Sequence, residues 1–208
     1  SPKLDDLQCA FVSLKAFMEA ENEKSVNVYC CFDNEEVGSN TKQGAMSTFL
    51  KDVLHRINNG LHKTEEEYYQ AIAKTFLVSC DNAHALHPNH PEKTDAVNYV
   101  TMNGGIVIKE SATDAFSRAL FTGVCQNVNV PVQSFANRSD SVGGSTLGNL
   151  SNTQVSIHAV DFGLAQLAMH SCFEPAGVKD TEYAIIALKE FYETNVQIDE
   201  AESVCLEK

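Results

Sequence analysis

Short apolar, β-rich runs alternate with helix-like segments along this chain, and that alternation constrains its fold more than any other feature. The runs predicted as strands are Val26–Phe32, Phe76–Ser79, Ile106–Ile108, Val132–Phe135 and Ile157–Phe162. Helices are predicted over Leu4–Ala20, Ala45–Ile57, Thr64–Thr75, Thr113–Val124 and Thr181–Tyr192, and Gly143–Thr146 has the composition of a short helix start. Strands that alternate with helices indicate an α/β fold whose mixed or largely parallel sheet is flanked by helices. We find no internal repeat, low-complexity tract or linker, so one domain is expected.

Local signals mark two of the helix boundaries. The segment Thr64–Glu67 (TEEE) has the spacing of a capping box, in which the first and last residues satisfy each other's backbone N–H groups. Asn59-Gly60 is a natural stop for the preceding helix. A helix therefore ends near residue 60 and the next one begins just after residue 64.

Composition and charge exclude several classes of protein. The chain carries 15 Lys and Arg against 28 Asp and Glu, a net charge of −13, whereas binding to nucleic acid or an anionic membrane needs clustered cations. There is no apolar run of about 18 residues to predict a transmembrane helix, and Ser1–Asp6 does not have the features of a signal peptide. Seven cysteines without CxxC spacing are typical of reduced core thiols in a cytosol-like compartment, so a cytoplasmic location is expected.

Two adjacent carboxylates, Glu35 and Glu36, follow the Val26–Phe32 run and precede Gly38. Adjacent side chains on an extended chain point to opposite sides, so one carboxylate can bind a cation while the other faces a substrate and moves protons. The alternative is a solvated acidic turn, which is the usual place of charged pairs. The position of the pair after an apolar, β-rich run favours the functional interpretation.

Three more positions place a carboxylate or an imidazole where a ligand can bind. In open α/β sheets ligands bind beyond the strand ends, and Asp81 follows a predicted strand. Asp5 and His170 complete a set of Asp, Glu and His side chains, which suit zinc and similar divalent ions. Taken singly, each has an ordinary alternative: Asp5 and Asp81 as helix-start or turn residues, and His170 as a buried core histidine.

Six motifs follow one another over nearly the whole chain. They are Ser1–Asp6 (SPKLDD), Asp33–Ser39 (DNEEVGS), Asp81–Pro88 (DNAHALHP), Val107–Lys109 (VIK), Gly144–Gly148 (GSTLG) and Gln166–Ser171 (QLAMHS). In this order they resemble the aspartyl aminopeptidase family of dinuclear zinc exopeptidases. The resemblance implies a phosphorylase/hydrolase-like zinc exopeptidase catalytic domain. Several of the motifs are long and specific, which makes coincidence a poor explanation.

The resemblance also implies a role for each candidate residue. Asp5 would bridge two divalent metal ions, expected to be zinc; Asp81 would bind one ion, and Glu36 and His170 the other. Glu35 would be the general base that takes a proton from the metal-bound water as it attacks the scissile carbonyl. The metals would lower the pKa of that water and stabilise the oxyanion. The chain would then be a hydrolase, namely a metal-dependent aminopeptidase of the zinc metalloprotease type.

Members of that family remove one residue from an unblocked N-terminus, often Asp or Glu, and form large homo-oligomers. Lys109 and His84 are our candidates for the substrate pocket, because a cation there would pair with an acidic side chain. The alternatives are a strand-end surface lysine for Lys109 and a loop-capping turn residue for His84. Peptides with a free N-terminus are the expected partners, rather than nucleic acid or membranes.

Departures from the family pattern lead to a second hypothesis. The family's remaining metal ligand is a histidine in an HxD motif far upstream of the Asp5 motif, and none of the seven histidines here lies in such a motif. Residues 1–208 are therefore expected to be the C-terminal part of the catalytic domain, without its upstream segment and without the family's dimerisation insert. The stretch after Lys109 is also about five residues short, judged from local spacing. The alternative function is a catalytically inactive fragment or interaction module that keeps the fold but lacks a complete metal site.

Overall fold

The computed structural model describes residues 1–141, 143–200 and 203–208. Its helices are α1 (Leu4–Glu19), α2 (Phe49–Gly60), α3 (Glu65–Ala73), α4 (Ala115–Asn127), α5 (Leu147–Ser151) and α6 (Val178–Glu193). Its strands are β1 (Phe76–Cys80), β2 (Ala83–His84), β3 (Ile106–Lys109), β4 (Val132–Phe135), β5 (His158–Gly163), β6 (Ala165–Gln166), β7 (Asn195–Glu200) and β8 (Ser203–Glu207). This succession of elements confirms the predicted α/β class.

Four strands form the central sheet in the order β1-β5-β3-β4. β1 pairs with β5 and β3 with β4 in parallel, whereas β3 and β5 run antiparallel, so the sheet is mixed, as predicted. Just beyond β1 and β5, strands β2 and β6 form a short parallel pair. All four residues of β3 are buried, as expected for an inner strand that is covered on both faces.

The larger core lies between the sheet and helices α1, α4 and α6. Its buried side chains include Val12 of α1, Phe121 of α4, Leu188 of α6, and Ile108 and Phe162 of the sheet. Val107, the residue before Ile108 in β3, points to the opposite face and belongs to a smaller apolar cluster. Packing on both faces holds the inner strands β3 and β5 in place, and with them the side chains at their ends.

The prediction of a strand over Val26–Phe32 is wrong. These residues pair with no described strand. A β-rich composition is not sufficient, because a ladder also needs a neighbour with free N–H and C=O groups. The segment instead lines a groove of about 1370 Å³ together with parts of α1, α2, α3 and β1. Among the described residues β1 is an edge strand, with β5 as its ladder partner.

Helix α1 is present where it is predicted, but much of its apolar stripe faces solvent. Leu7 is 63% exposed, Phe11 58% and Met18 75%. The side of the helix that packs on the core carries the smaller residues Val12 and Ala16. Apolar spacing therefore predicted the helix correctly without indicating which face it buries.

Other differences are local. Helix α2 begins at Phe49 rather than at Ala45, and the strands β2, β6, β7 and β8 were not predicted. After α6, β7 and β8 form an antiparallel hairpin. The hairpin residues Val196, Val204 and Leu206 pack against the larger core. The hairpin thus extends the core beyond the last predicted helix.

Two local predictions are confirmed, the capping box at Thr64 and the free cysteines. The Thr64 hydroxyl accepts a hydrogen bond from the N–H of Glu67, and the Glu67 carboxylate accepts one from the N–H of Thr64 at 2.8 Å, which is the predicted capping box. All seven cysteines are free thiols, in agreement with the prediction of reduced side chains. None of the helices in the described residues is both long and apolar enough to span a membrane.

Gly163, at the end of β5, lies so close to Asp81 that a side chain does not fit. A Cβ atom there would lie 2.0 Å from the backbone oxygen of Asp81. We expect Gly163→Ala to lower the free energy of unfolding by about 1–3 kcal/mol, the usual cost of overpacking, measured by urea denaturation. Gly60→Ala is the matched control, because a Cβ there meets nothing within 4 Å and alanine is the better helix former. Equal stability of the two variants would contradict this packing.

Candidate functional site

Four segments from different parts of the chain bring acidic and imidazole side chains to one end of the sheet. Asp5 stands at the start of α1, and Asp81 directly follows β1. Glu35 and Glu36 lie in a 3₁₀ turn, and His170 follows β6. The parallel strands β1 and β5 end on the same side, and loops at such strand ends form the ligand sites of α/β sheets.

Asp5 belongs to two overlapping clusters of possible metal ligands. In the first, His170 Nε2 lies 2.9 Å from Asp5 Oδ2 and 3.1 Å from Glu36 Oε2. In the second, one carboxylate oxygen from each of Asp5, Asp6 and Asp81 lies within 4.8 Å of the others. The structure therefore brings together all the residues predicted as metal ligands. It adds Asp6, which was not among them although it adjoins Asp5.

The loops that carry the turn and His170 have left-handed backbones at several residues other than glycine. φ is 60° at Asn34 and at Ser39, on either side of the Glu35–Val37 turn, and 66° at His170 itself. Such conformations are uncommon outside glycine and concentrate at functional sites, where surrounding contacts hold them. The positions of Glu36 and His170 therefore depend on the structure around them.

Glu35 and Glu36 do not occupy an extended segment, so the premise that divided their roles is wrong. They nevertheless differ within the turn. Both border the groove, but Glu36 pairs with His170, whereas Glu35 forms no ion pair with the other described residues. Desolvation, reinforced by the charges of Asp81 and Glu36, raises the pKa of Glu35. The Glu36 carboxylate is therefore held in an ion pair, and the Glu35 carboxylate is not.

A buried carboxylate that was not predicted, Glu174, joins two of these segments. Its Oε2 accepts hydrogen bonds from the backbone N–H groups of Leu4 at 2.6 Å and Asp5 at 3.3 Å. Its Oε1 accepts one from the N–H of His170 at 2.6 Å, and the residue is 1% exposed. Glu174 lies in a loop, and no periodicity in the sequence marks it. Only the fold shows that it fixes two backbones that carry candidate ligands.

Crowding of carboxylates changes the protonation of the site. Desolvation, with the charges of Asp81 and Glu36, raises the pKa of Asp5 to about 7, although His170 opposes the shift. Desolvation and the charge of Asp81 raise the pKa of Asp6 to about 9. Desolvation opposes the charged form of His170, but Glu36 and Asp5 together raise its pKa. A divalent cation would offset this negative charge, and zinc accepts Asp, Glu and His ligands, so the donor set fits such an ion.

Lys109 and His84, the predicted substrate-pocket residues, also lie at this end of the sheet. Lys109 Nζ donates a hydrogen bond to Asp81 Oδ2 at 2.8 Å and lies 3.9 Å from Asp161 Oδ2. The Lys109 side chain is 9% exposed, so it is not an ordinary surface lysine. Desolvation, together with the charges of Lys109 and His170, lowers the pKa of His84.

Asp161 is a second acidic residue that was not predicted. It lies within β5 and is 1% exposed, and neither of its carboxylate oxygens has a hydrogen-bond partner in the part of the chain that the structure describes. Burial raises the pKa of Asp161 to about 6, against the opposing effects of Lys109 and of the nearby Thr146 and Ser79 hydroxyls. The available signal was an acidic residue inside a largely apolar strand, a place where charges are rare.

Comparison with known proteins places this α/β domain among the zinc metallopeptidases. Residues 1–192 match the family model described as aminopeptidase I zinc metalloprotease (M18). The chain belongs to the M18 family.

Two curated relatives and one solved structure illustrate the similarity. The chain is 45% identical over 197 residues to the probable M18 family aminopeptidase 2 of Clostridium novyi, a match that covers 92% of this chain and 46% of that protein. It is 40% identical over 211 residues to the probable aspartyl aminopeptidase of Ricinus communis, a match that covers 96% of this chain and 43% of that protein. The solved structure of the S. cerevisiae mApe1 dodecamer is 27% identical, with a TM-score of 0.77. The match covers 92% of this chain and 45% of the mApe1 chain. The chain thus spans just under half the length of the curated relatives it matches.

Raised pKa values of buried carboxyl groups should make the metal-free protein less stable as the pH rises. The folded-state pKa of Asp6, about 9, lies above its ordinary value of 3.8, so the folded protein binds the extra proton. Its contribution is complete below the unfolded pKa and is lost as pH rises through the folded pKa. We expect Asp6→Asn to remove a decline of up to about 1.4 kcal/mol per pH unit, measured by urea denaturation in chelator between about pH 5 and 8.

Asp52→Asn, at an exposed position of α2, is the control for this measurement. It removes one carboxylate from the protein without changing the cluster around Asp5, so it isolates the effect that belongs to Asp6. A slope that is the same in Asp6→Asn and in the wild type would contradict the raised pKa of Asp6.

Proposed function

We propose that the natural protein is a metal-dependent aminopeptidase that removes one N-terminal residue, preferably Asp or Glu, from peptides. The observation that carries this proposal is the place of Asp5 in two overlapping ligand clusters beside Glu35, in a chain of the M18 family. A carboxylate shared by two clusters suits a pair of divalent ions, and a free carboxylate next to them suits proton transfer.

Two divalent ions, expected to be zinc, would be held by the chain's own carboxylates and imidazole. We assign Asp5 to both ions, Asp81 to one, and Glu36 and His170 to the other. When bound, the ions supply positive charge that activates water and polarises the scissile carbonyl. Glu174 supports this assignment, because its hydrogen bonds keep the backbones of Asp5 and His170 together.

Glu35 is the proposed general base. Its carboxylate borders the groove, where it is free to accept a proton from the attacking water and to pass it to the departing amine. The pKa of Glu35 is raised toward neutral pH. A general base works best when its pKa lies near the pH at which the enzyme operates. Glu36 is less suited to this role because it is paired with His170.

Lys109 and His84 are proposed to select acidic N-terminal residues. Desolvation opposes the charge of Lys109, but Asp161 and Asp81 together raise its pKa and keep the ammonium charged. A carboxylate on the first side chain of the substrate would accept a charge-assisted hydrogen bond from this group. The name of the Ricinus relative, a probable aspartyl aminopeptidase, supports the acidic preference.

We propose further that residues 1–208 are the C-terminal part of the catalytic domain, and that the remaining metal ligand lies outside them. None of the seven histidines is in an HxD motif, and the curated relatives are about twice as long. A homo-oligomer is proposed because a solved relative is a dodecamer. Seven free thiols support a cytoplasmic location, and the net charge of −13 argues against nucleic acid and anionic membranes as partners.

Aminopeptidase assays on the natural polypeptide that carries these residues test the proposal. With reporter substrates that begin with Asp, Glu or Leu, we expect hydrolysis that is fastest for Asp and Glu, because Lys109 offers a cation to their side chains. Removal of metal by a chelator should abolish it, and added zinc should restore it. A protein that binds zinc but releases no reporter from any substrate would favour the alternative, an inactive module that keeps the fold.

Glu35→Gln separates catalysis from metal binding in the same assay. We expect turnover to fall by about 10²–10⁴-fold, because an amide cannot accept the proton, while the zinc content stays at the wild-type level. Glu36→Gln is the matched comparison, and it should lower the zinc content as well as the turnover. Wild-type turnover in Glu35→Gln would refute the general-base assignment.

A further inference from the structure

Lys109 and a metal ion would compete for the same carboxylate. The Lys109 ammonium holds Asp81 at 2.8 Å, and the two side chains are only 9% and 13% exposed. A divalent ion bound to Asp81 would place a second cation close to that ammonium, and repulsion between like charges is strong in a poorly solvated site. Because the Lys109 side chain is enclosed, water cannot easily replace the lost partner. Lys109 then needs another acceptor.

Asp161 lies where such an acceptor is needed. β5 lies between β1 and β3, so Asp161 is placed between the strand that precedes Asp81 and the strand that ends at Lys109. Its Oδ2 is 3.9 Å from Lys109 Nζ, beyond hydrogen-bonding distance. Neither oxygen of this buried carboxylate makes a hydrogen bond within the described residues, although the Thr146 and Ser79 hydroxyls are near enough to favour its charged form. A buried carboxylate without a hydrogen bond is costly, and Asp161 provides an acceptor beside Lys109 that the present hydrogen bond between Lys109 and Asp81 does not use.

We propose that Asp161 is a positioning residue that takes over Lys109 when a divalent ion binds Asp81. This exchange presupposes the metal function proposed above. A shift of the ammonium by about 1 Å converts the contact with Asp161 into a charge-assisted hydrogen bond, and the flexible lysine stem permits such a shift. Asp81 is thereby released to the ion, and the ammonium stays paired within the site.

The exchange also determines what Lys109 offers to a substrate. An ammonium group has three N–H donors and no acceptor. One hydrogen bond to Asp161 leaves the other donors for the carboxylate of an acidic N-terminal residue. Metal binding at Asp81 and recognition of an acidic substrate are therefore coupled through a single side chain.

Zinc affinity in a double-mutant cycle tests the exchange. Isothermal titration calorimetry with Zn²⁺ compares the natural polypeptide in four forms: wild type, Asp161→Asn, Lys109→Met and the double variant. We expect Asp161→Asn to weaken zinc binding by about 10–100-fold, the usual effect of losing a residue that supports a metal ligand, because Lys109 then keeps its hold on Asp81. In the Lys109→Met background the same substitution should change the affinity less than about twofold, because no ammonium has to move.

Thr113→Val is the matched structural control. The Thr113 hydroxyl accepts a hydrogen bond from the backbone N–H of Asp161 at 2.9 Å, so its loss disturbs the same strand without changing a charge, and zinc affinity should stay at the wild-type level. The exchange is overturned if Asp161→Asn has no effect, if its effect persists in the Lys109→Met background, or if Thr113→Val causes an equal loss. Absence of zinc binding in the wild type would overturn the exchange and the metal function together, whereas normal wild-type binding with any of the first three results would overturn the exchange alone.

Discussion

The candidate site depends on one buried carboxylate. Glu174 accepts hydrogen bonds from the backbone N–H groups of Leu4, Asp5 and His170, so the start of α1 and a loop about 165 residues later share one anion. Hydrogen bonds to a charged acceptor are roughly twice as strong as neutral ones, and leaving this residue unpaired at 1% exposure would be costly. The two segments cannot separate without that cost, and the 2.9 Å contact between His170 and Asp5 follows from their being held together.

The chain itself balances the charge of this site only in part. Lys109 neutralises Asp81, and His170 is paired with Asp5 and Glu36. The remaining excess of negative charge appears in the pKa of Asp5, raised to about 7 by desolvation and neighbouring carboxylates. A fold that gathers carboxylates at the end of its sheet gives up stability to do so. A cation that binds only the folded state returns that stability by mass action.

Much of the fold was predictable because periodicity and composition report burial, and β1, β3, β4, β5 and the helices lie near their predicted positions. Motifs located the residues that the structure brings together around Asp5. The false strand at Val26–Phe32 could not be rejected, because composition does not say whether a pairing partner is present. Asp161 and Glu174 escaped prediction for a related reason: their contacts arise from the order of strands and the path of a loop, which local spacing does not encode.

The groove beside the site and the unpaired edge of the sheet are one feature. The N–H of Asp81 donates to the carbonyl of Phe162 in β5. Successive residues of a strand direct their backbone groups to opposite sides, so the N–H groups that point away from β5 are those of Phe76, Val78 and Cys80. The Val26–Phe32 segment, which also pairs with no described strand, lines the same groove of about 1370 Å³ as β1 and Asp5. Free edges of this kind pair readily with extended polypeptide. A segment that placed a further metal ligand next to Asp5 from this side could therefore also form backbone hydrogen bonds with the free edge of β1.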